Sequence, residues 1–332
     1  FKECLQVAVL PVLPGGILYQ HTGEGSLTME KSSPVKRFIA KWTNKDRVGY
    51  LFILPGVSVL FIFTIIPLLV SFIISLTNLD IFLAWPDMIG LDNFKRTLSD
   101  ARVWNAFKNT FYYVIISVPV QLLVALILAY WLYKPTFFNK LCRSVFYVPV
   151  LCSFTAIGIL FGLMLNSTVG YIPYFISKFT GEPIALFSDE RFAMPVIIFI
   201  SVWKAFGKTL IILVAGINDI PNTYFEASEI DGANKIQQFF YITIPNLMPT
   251  ISFTLLTTII GAFQVFDVVY VTTGGGPLYK TETMVQYIYS RGFSDPYDLG
   301  YASAMCVELF IIIAVIILVF KRYLDRKTAQ NM

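Results

Sequence analysis

The sequence predicts an all-α membrane protein with six transmembrane helices, and three observations lead there. Hydrophobic residues make up 56% of the chain and charged ones 14%, with a mean hydropathy of +0.68, which is outside the range of ordinary soluble domains. A bilayer core takes roughly 20 apolar residues per helix. Six runs of about that length lie near Val48–Leu76, Phe111–Tyr133, Ser144–Leu165, Ala193–Ile217, Thr250–Val271 and Ala302–Phe320. The basic residues behind the net charge of +4 cluster beside these runs, as membrane anchors do, so no nucleic-acid partner is needed to explain them.

In chain order, residues 1–28 (Phe1–Thr28) are expected to be a disordered upstream extension. The stretch is rich in Pro and Gly, holds the single histidine, His21, and has no basic segment ahead of an apolar core as a signal peptide would. Residues 29–47 form a basic leader with Lys31, Lys36, Arg37, Lys41, Lys45 and Arg47, which places the amino end in the cytoplasm. The six-helix domain then occupies residues 48–321, and a cytoplasmic tail, 322–332, continues the cationic end Lys321, Arg322, Arg326 and Lys327. The loop Lys134–Arg143 adds three cations on that side, whereas the loops near 77–105, 166–192 and 272–300 mix acids with bases and are assigned outside. Cys4, Cys142, Cys152 and Cys306 form no CxxC pair, and they read as small buried apolar residues with no disulfide framework and no metal site.

Two spans carry polar residues. The fourth holds Lys204 and Lys208 in Trp203-Lys-Ala-Phe-Gly-Lys-Thr209. A cation at the bilayer centre costs about 2.5–3.5 kcal/mol on insertion scales, so these lysines either face a protein interior, cavity or interface, or lie shallow enough to snorkel. Gly207 between them allows a bend or a close helix contact. Along the fifth span Thr254, Thr257, Thr258, Gly261, Gln264 and Asp267 recur at intervals of three or four, placing most of them on one helix face. Such a stripe is either glue between helices or the lining of a hydrophilic passage, and Gln264 and Asp267 favour the passage. A sugar suits these side chains, with Phe263 and Phe266 available to stack on its apolar face. Beyond them, Thr272-Thr-Gly-Gly-Gly-Pro277, with Thr281 and Thr283, marks a sharp turn at the membrane surface.

Between the fourth and fifth spans lies Tyr224–Pro249, YFEASEIDGANKIQQFFYITIPNLMP, a polar insert of helix-forming sequence and cytoplasmic by parity. Glu226, Glu229 and Asp231 are read as early in a first short helix capped by Asn222 or Thr223. Gly232 ends that helix, Asn234 caps a second, and Pro245 and Pro249 stop the second. An ordered helix pair outside the bilayer is a candidate docking element; the alternative is an amphipathic connector on the membrane surface. Enzyme chemistry finds no foothold. His21 alone supports no catalytic or metal-binding histidine pattern, and Gly207-Lys-Thr209 imitates the end of a phosphate loop but has Val202 where the first glycine is required. No cofactor is expected.

The insert resembles the EAA loop of permease subunits of ATP-binding-cassette importers, whose pattern is Glu-Ala-Ala, three residues, Gly, nine residues, Ile-x-Leu-Pro. Glu226-Ala227-Ser228 precedes Gly232, and Ile242-Thr-Ile-Pro245 follows at the expected spacing, with Ser228 for Ala and Ile244 for Leu as departures. Asp231-Gly232-Ala233 is similar to the carbohydrate branch. So are Ile89-Gly-Leu-Asp-Asn-Phe94 with Asn109-Thr110, and Phe266-Asp267, Tyr270 and Thr273 through Gly275-Gly276-Pro277, which resemble the first-subunit type related to the maltose and glycerol-3-phosphate permeases.

The resemblance covers about Asp46 to Lys321. It implies a type I importer permease fold in the cell membrane, a second similar permease, two ATP-binding subunits and an external solute-binding protein. It also implies ATPase coupling through Glu226, Ala227, Ser228, Asp231, Gly232, Ala233, Ile242 and Pro245. The substrate pathway it implies runs along Thr257, Thr258, Gly261, Gln264 and Asp267 and the segment with Lys204 and Lys208. The two lysines are not a family signature and point towards an anionic or acidic sugar. Other readings are a permease for glycerol-3-phosphate or another non-sugar solute, an amino-acid or peptide permease of the same superfamily, and a stand-alone secondary carrier.

Overall fold

A computed structural model describes residues 17–21, 27–31, 45–82, 85–181 and 185–330. The chain divides into two compact units, 1–70 and 71–332. In the first, strands β1 (Ile17–His21) and β2 (Leu27–Lys31) pair antiparallel with Ile17 opposite Lys31. They fall in or beside the stretch expected to lack structure; the rest of 1–28 lies outside the described residues. Helix α1 (Lys45–Leu60) passes through a π-turn at Phe61–Ile65 into α2 (Ile66–Ile74). The apolar helix Phe52–Ile74 is exposed along its most hydrophobic window.

The second unit is helical. Five helices in the described chain are long and apolar enough to cross a membrane, or six if one bent pair counts as a single span. Helix α3 (Asp92–Ser99) is short and amphipathic, and α4 (Ala101–Leu132) follows it directly. Asp100 starts α4 by accepting the Arg102 backbone N–H at 2.8 Å, satisfying one of the orphan donors of a helix end. The helix therefore begins ten residues before the expected span. At about 1.5 Å per residue its 32 residues reach about 48 Å, more than the thickness of a bilayer core.

The third expected span is not one straight helix. It is α5 (Phe137–Leu151) and α6 (Phe154–Met164), bent by 94° between them. Pro149 weakens the end of α5, and Ser153 caps α6 by accepting the Ala156 N–H at 3.1 Å, so the chain stops and restarts where sequence periodicity reads continuity. Helix α7 (Tyr171–Thr180) leads to α8 (Ala193–Asn218), which packs most extensively against α4.

The insert after α8 forms α9 (Asn222–Ile230) and α10 (Lys235–Gln238), then a π-turn at Phe239–Thr243 that runs into α11 (Ile244–Phe263). The prolines do not stop the second short helix. Pro245 occupies the first positions of α11, where a missing N–H costs nothing, and Pro249 lies inside it. The fifth span is broken instead at its other end, where Gln264–Phe266 separate α11 from α12 (Asp267–Thr272). Helix α13 (Met284–Phe293) and the long α14 (Leu299–Gln330) complete the unit, α14 continuing past Lys321 into the expected tail.

Two apolar clusters hold these helices together. One gathers Val103–Val118 of α4, Met194–Val202 of α8 and Ile259–Phe263 of α11; the other gathers Ala125–Leu132, Phe206–Ile217 and Leu247. The residues left between the clusters on the same three helices form the polar site. Among the described cysteines, Cys142 is half-buried and Cys152 and Cys306 are exposed, which corrects their reading as buried core residues; all three are free thiols.

Candidate functional site

Between the two clusters lies a cavity of about 270 Å³. Five of the seven expected pathway residues line it: Lys204, Lys208, Thr257, Thr258 and Gly261. Gln264 and Asp267 do not line it; the former caps the end of α11 and the latter opens α12, both exposed on either side of the helix break. The remaining lining includes Tyr113, Ser117 and Gln121 of α4 and Ser201 and Thr209 of α8. These were missed because a lone hydroxyl in an apolar run carries no periodic signal; Tyr113, Ser117 and Gln121 are spaced four apart on one face of α4.

Lys204 does not snorkel. It is 9% exposed, its ammonium donates to the Val150 carbonyl at 3.4 Å and lies 4.2 Å from the centre of the Phe154 ring. The 94° bend creates this site, since it leaves the carbonyl end of α5 open and a helix C-terminus attracts cations. Gly207 makes the approach close: a Cβ there would sit 2.2 Å from the Phe146 carbonyl oxygen of α5. Lys208 is exposed towards the cavity, and Gln121 donates to the Thr209 hydroxyl at 3.0 Å. The hydroxyls of Ser117 and Ser201, each 3% exposed, lie beside the buried Tyr113 hydroxyl. Thr257 satisfies its hydroxyl on the Phe253 and Thr254 carbonyls of its own helix. The aromatic stacking expected of Phe263 is absent because the ring is 2% exposed and packed on Phe111; Phe266 stacks on Tyr270.

At the other end of α11, the insert encloses a groove of about 640 Å³. Ala227, Ser228, Asp231, Gly232, Ala233 and Ile242 line it; Glu226, exposed on α9, and Pro245 do not. Helix α9 has no side-chain cap from Asn222 or Thr223, because it begins one residue earlier, after Pro221. Glu229 and Asp231 accordingly fall at its C-terminal end, not early in it. The dipole disfavours acids there, and Lys235 offsets this by reaching Glu229 at 2.6 Å and holding that carboxyl below its ordinary range.

Gly232 takes φ +79° and lets the Ala233 N–H bond the Ser228 carbonyl at 2.9 Å, the left-handed closure that ends α9. Asn234 and Gln237 form a reciprocal capping box on α10, as the sequence led one to expect of Asn234. Gln238, 2% exposed, donates to Ser228 at 3.0 Å, so the Ser that departs from the family pattern clamps the two helices.

The opposite end is stapled by the other motif residues. Asn93 donates to the Ser75 and Thr77 carbonyls at 3.0 and 2.8 Å. Asn109 donates to the Tyr279 and Glu282 carbonyls, and the Thr110 hydroxyl accepts the Met284 N–H. The glycine turn is sharp as expected, with Gly274 and Gly275 at φ +59° and +94° and the Thr273 and Thr281 hydroxyls 2.7 Å apart.

A bundle of apolar spans with a polar, cationic chamber midway and an ordered, grooved helix pair at one end is the architecture of a multi-pass membrane protein. The chain belongs to the family of binding-protein-dependent transport system inner membrane components, whose model matches residues 102–330. It is 34% identical over 304 residues to the probable ABC transporter permease protein YesP of Bacillus subtilis, covering 90% of this chain and 94% of that one. It is 33% identical to the lactose transport system permease protein LacF of Rhizobium radiobacter, covering 82% and 92% respectively. In fold it is similar to a chain of a bacterial alginate ABC transporter solved in complex with an alginate pentasaccharide-bound periplasmic protein. There the TM-score is 0.76 at 22% identity, with 86% of this chain and 98% of that one covered.

Proposed function

We propose that this chain is the membrane-spanning subunit of an ATP-driven importer for a sugar or oligosaccharide, with the cavity between α4, α8 and α11 as the place where solute is held in transit. The observation that carries this reading is the composition of that cavity: hydroxyls, an amide and ammonium groups at mid-span, where hydrocarbon would otherwise be expected. The names of relatives add support, since they include lactose and arabinooligosaccharide permeases.

In this reading an external binding protein delivers the solute to this chain and a second, similar permease. Two ATP-binding subunits grip the α9/α10 loop and its counterpart. ATP is bound by those partners and none by this chain. Both ends of the membrane region face the cytoplasm, as the basic residues flanking the first and last spans suggest. Glu226, exposed and outside the groove, meets the ATPase, while Gly232 sets the angle between the short helices. Gln264 and Asp267 flank the way into the cavity across the break above Gly261.

Reconstitution of the whole transporter in proteoliposomes tests this. Glu226→Lys combined with Gly232→Val should abolish ATP-dependent saccharide uptake while the chain stays in the membrane; unchanged uptake would sink the coupling role.

A further inference from the structure

Resting on the saccharide reading above, we infer that the cavity is built for an acidic saccharide, one bearing a carboxylate that Lys208 and Lys204 recognise. The lining carries two ammonium groups and no carboxylate. Asp267 is off the lining, although its field reaches Lys204, so it offsets one of the two charges at most. Lys204 has substitutes for a counter-ion in the Val150 carbonyl, long at 3.4 Å, and the face of Phe154, well placed at 4.2 Å. Lys208 has neither: among the described residues it makes no ion pair and no hydrogen bond, yet it faces the cavity at bilayer depth. A cation in that setting gains most from an anion brought by the ligand, because Coulomb attraction strengthens as water is excluded.

The hydroxyls decide what kind of anion. Ser117 and Ser201 are each 3% exposed and line the same cavity as the lysines, beside the Tyr113 hydroxyl. A hydroxyl both donates and accepts, so this group of three keeps hydrogen-bonding capacity for a ligand atom. A small inorganic anion would satisfy the lysines and leave the serines empty. A neutral sugar would satisfy the serines and leave Lys208 without a counter-charge. A sugar acid satisfies both sets at once, its ring hydroxyls meeting Ser117 and Ser201 and its carboxylate meeting Lys208.

The test is ligand-observed NMR on the purified transporter complex in lipid nanodiscs. The probes are uronic-acid disaccharides of the glucose, galactose and mannose series, their neutral counterparts, and sulfate. At least one uronate should bind about tenfold more tightly than its neutral counterpart, a difference of about 1.4 kcal/mol. Lys208→Met should erase that preference, and Lys208→Arg should retain it. If Lys208→Met does not assemble, the wild-type comparison carries the test alone.

Equal binding of acid and neutral pairs, a preference that survives Lys208→Met, or displacement by sulfate as effective as by the uronate would each overturn the inference. Neutral disaccharides binding better than acidic ones would overturn it and leave the saccharide reading standing. No binding by any disaccharide would bring down both.

Discussion

Glu282 is a residue whose role no motif reveals. It is 2% exposed in the turn after the glycines, and Arg102 of α4 binds it through two nitrogens at 2.7 and 2.8 Å while lying 3.9 Å over the Tyr279 ring. Such a two-point pair fixes direction as well as distance, so it aims the turn at α4. Removing one partner of a buried pair costs about 3–5 kcal/mol. Since Arg102 is a third exposed, Glu282→Gln should cost about 3 kcal/mol, read as a lowered Tm of the purified complex.

Asp100 gives a pH-dependent counterpart. Burial alone would raise its carboxyl, but the Tyr287 hydroxyl, the Arg102 N–H, the Tyr301 hydroxyl and the Arg291 charge together hold it below the ordinary carboxylate range. A lowered carboxyl stabilises the fold fully above the unfolded value of 3.8, and that contribution is lost as pH falls through the lowered one. Asp100→Asn should therefore lower Tm at neutral pH by the equivalent of about 1–2 kcal/mol, the screened worth of its charged hydrogen bonds. Wild type and variant should converge as pH falls through that lowered value. A Tm difference that stays constant down to strong acid would show that the carboxylate charge is not involved.

At the scale of elements, α8 depends on one missing side chain. Gly207 brings α8 against the Phe146 carbonyl of α5, and backbone cannot step aside as a side chain can. Gly207→Ala should push the helices apart at a cost of about 1–3 kcal/mol. It should also lower uptake, because Lys204 would lose its reach to the Val150 carbonyl; full uptake with wild-type Tm would refute the close-packing role. The sequence offered Gly207 as a bend or a contact, and contact is what the helix pair uses.

The same contrast runs through the insert. Gly232 and Asn234 are legible because caps obey local rules that a few residues satisfy alone. The continuity of α10 into α11 is not legible. A π-turn at Phe239–Thr243 absorbs the register change ahead of Pro245, and its hydrogen bonds, reaching five residues back along the chain, follow no residue preference.

For the whole molecule, the class of the protein and its family were legible in composition and in residues at fixed spacing. Hydrophobic length answers to bilayer thickness, and a family motif is a contiguous stretch, so both are written along the chain. Tertiary structure alone decided three things: that the third span is bent at Cys152–Ser153, that Lys204 closes on the carbonyl end thereby opened, and that Ser117 and Ser201 join the lysines in one cavity while Gln264 and Asp267 stay outside it. Each depends on residues tens of positions apart meeting across helix faces. The hydrophobic pattern specifies which face turns inward, whereas packing density and the few glycines that permit contact specify what that face meets.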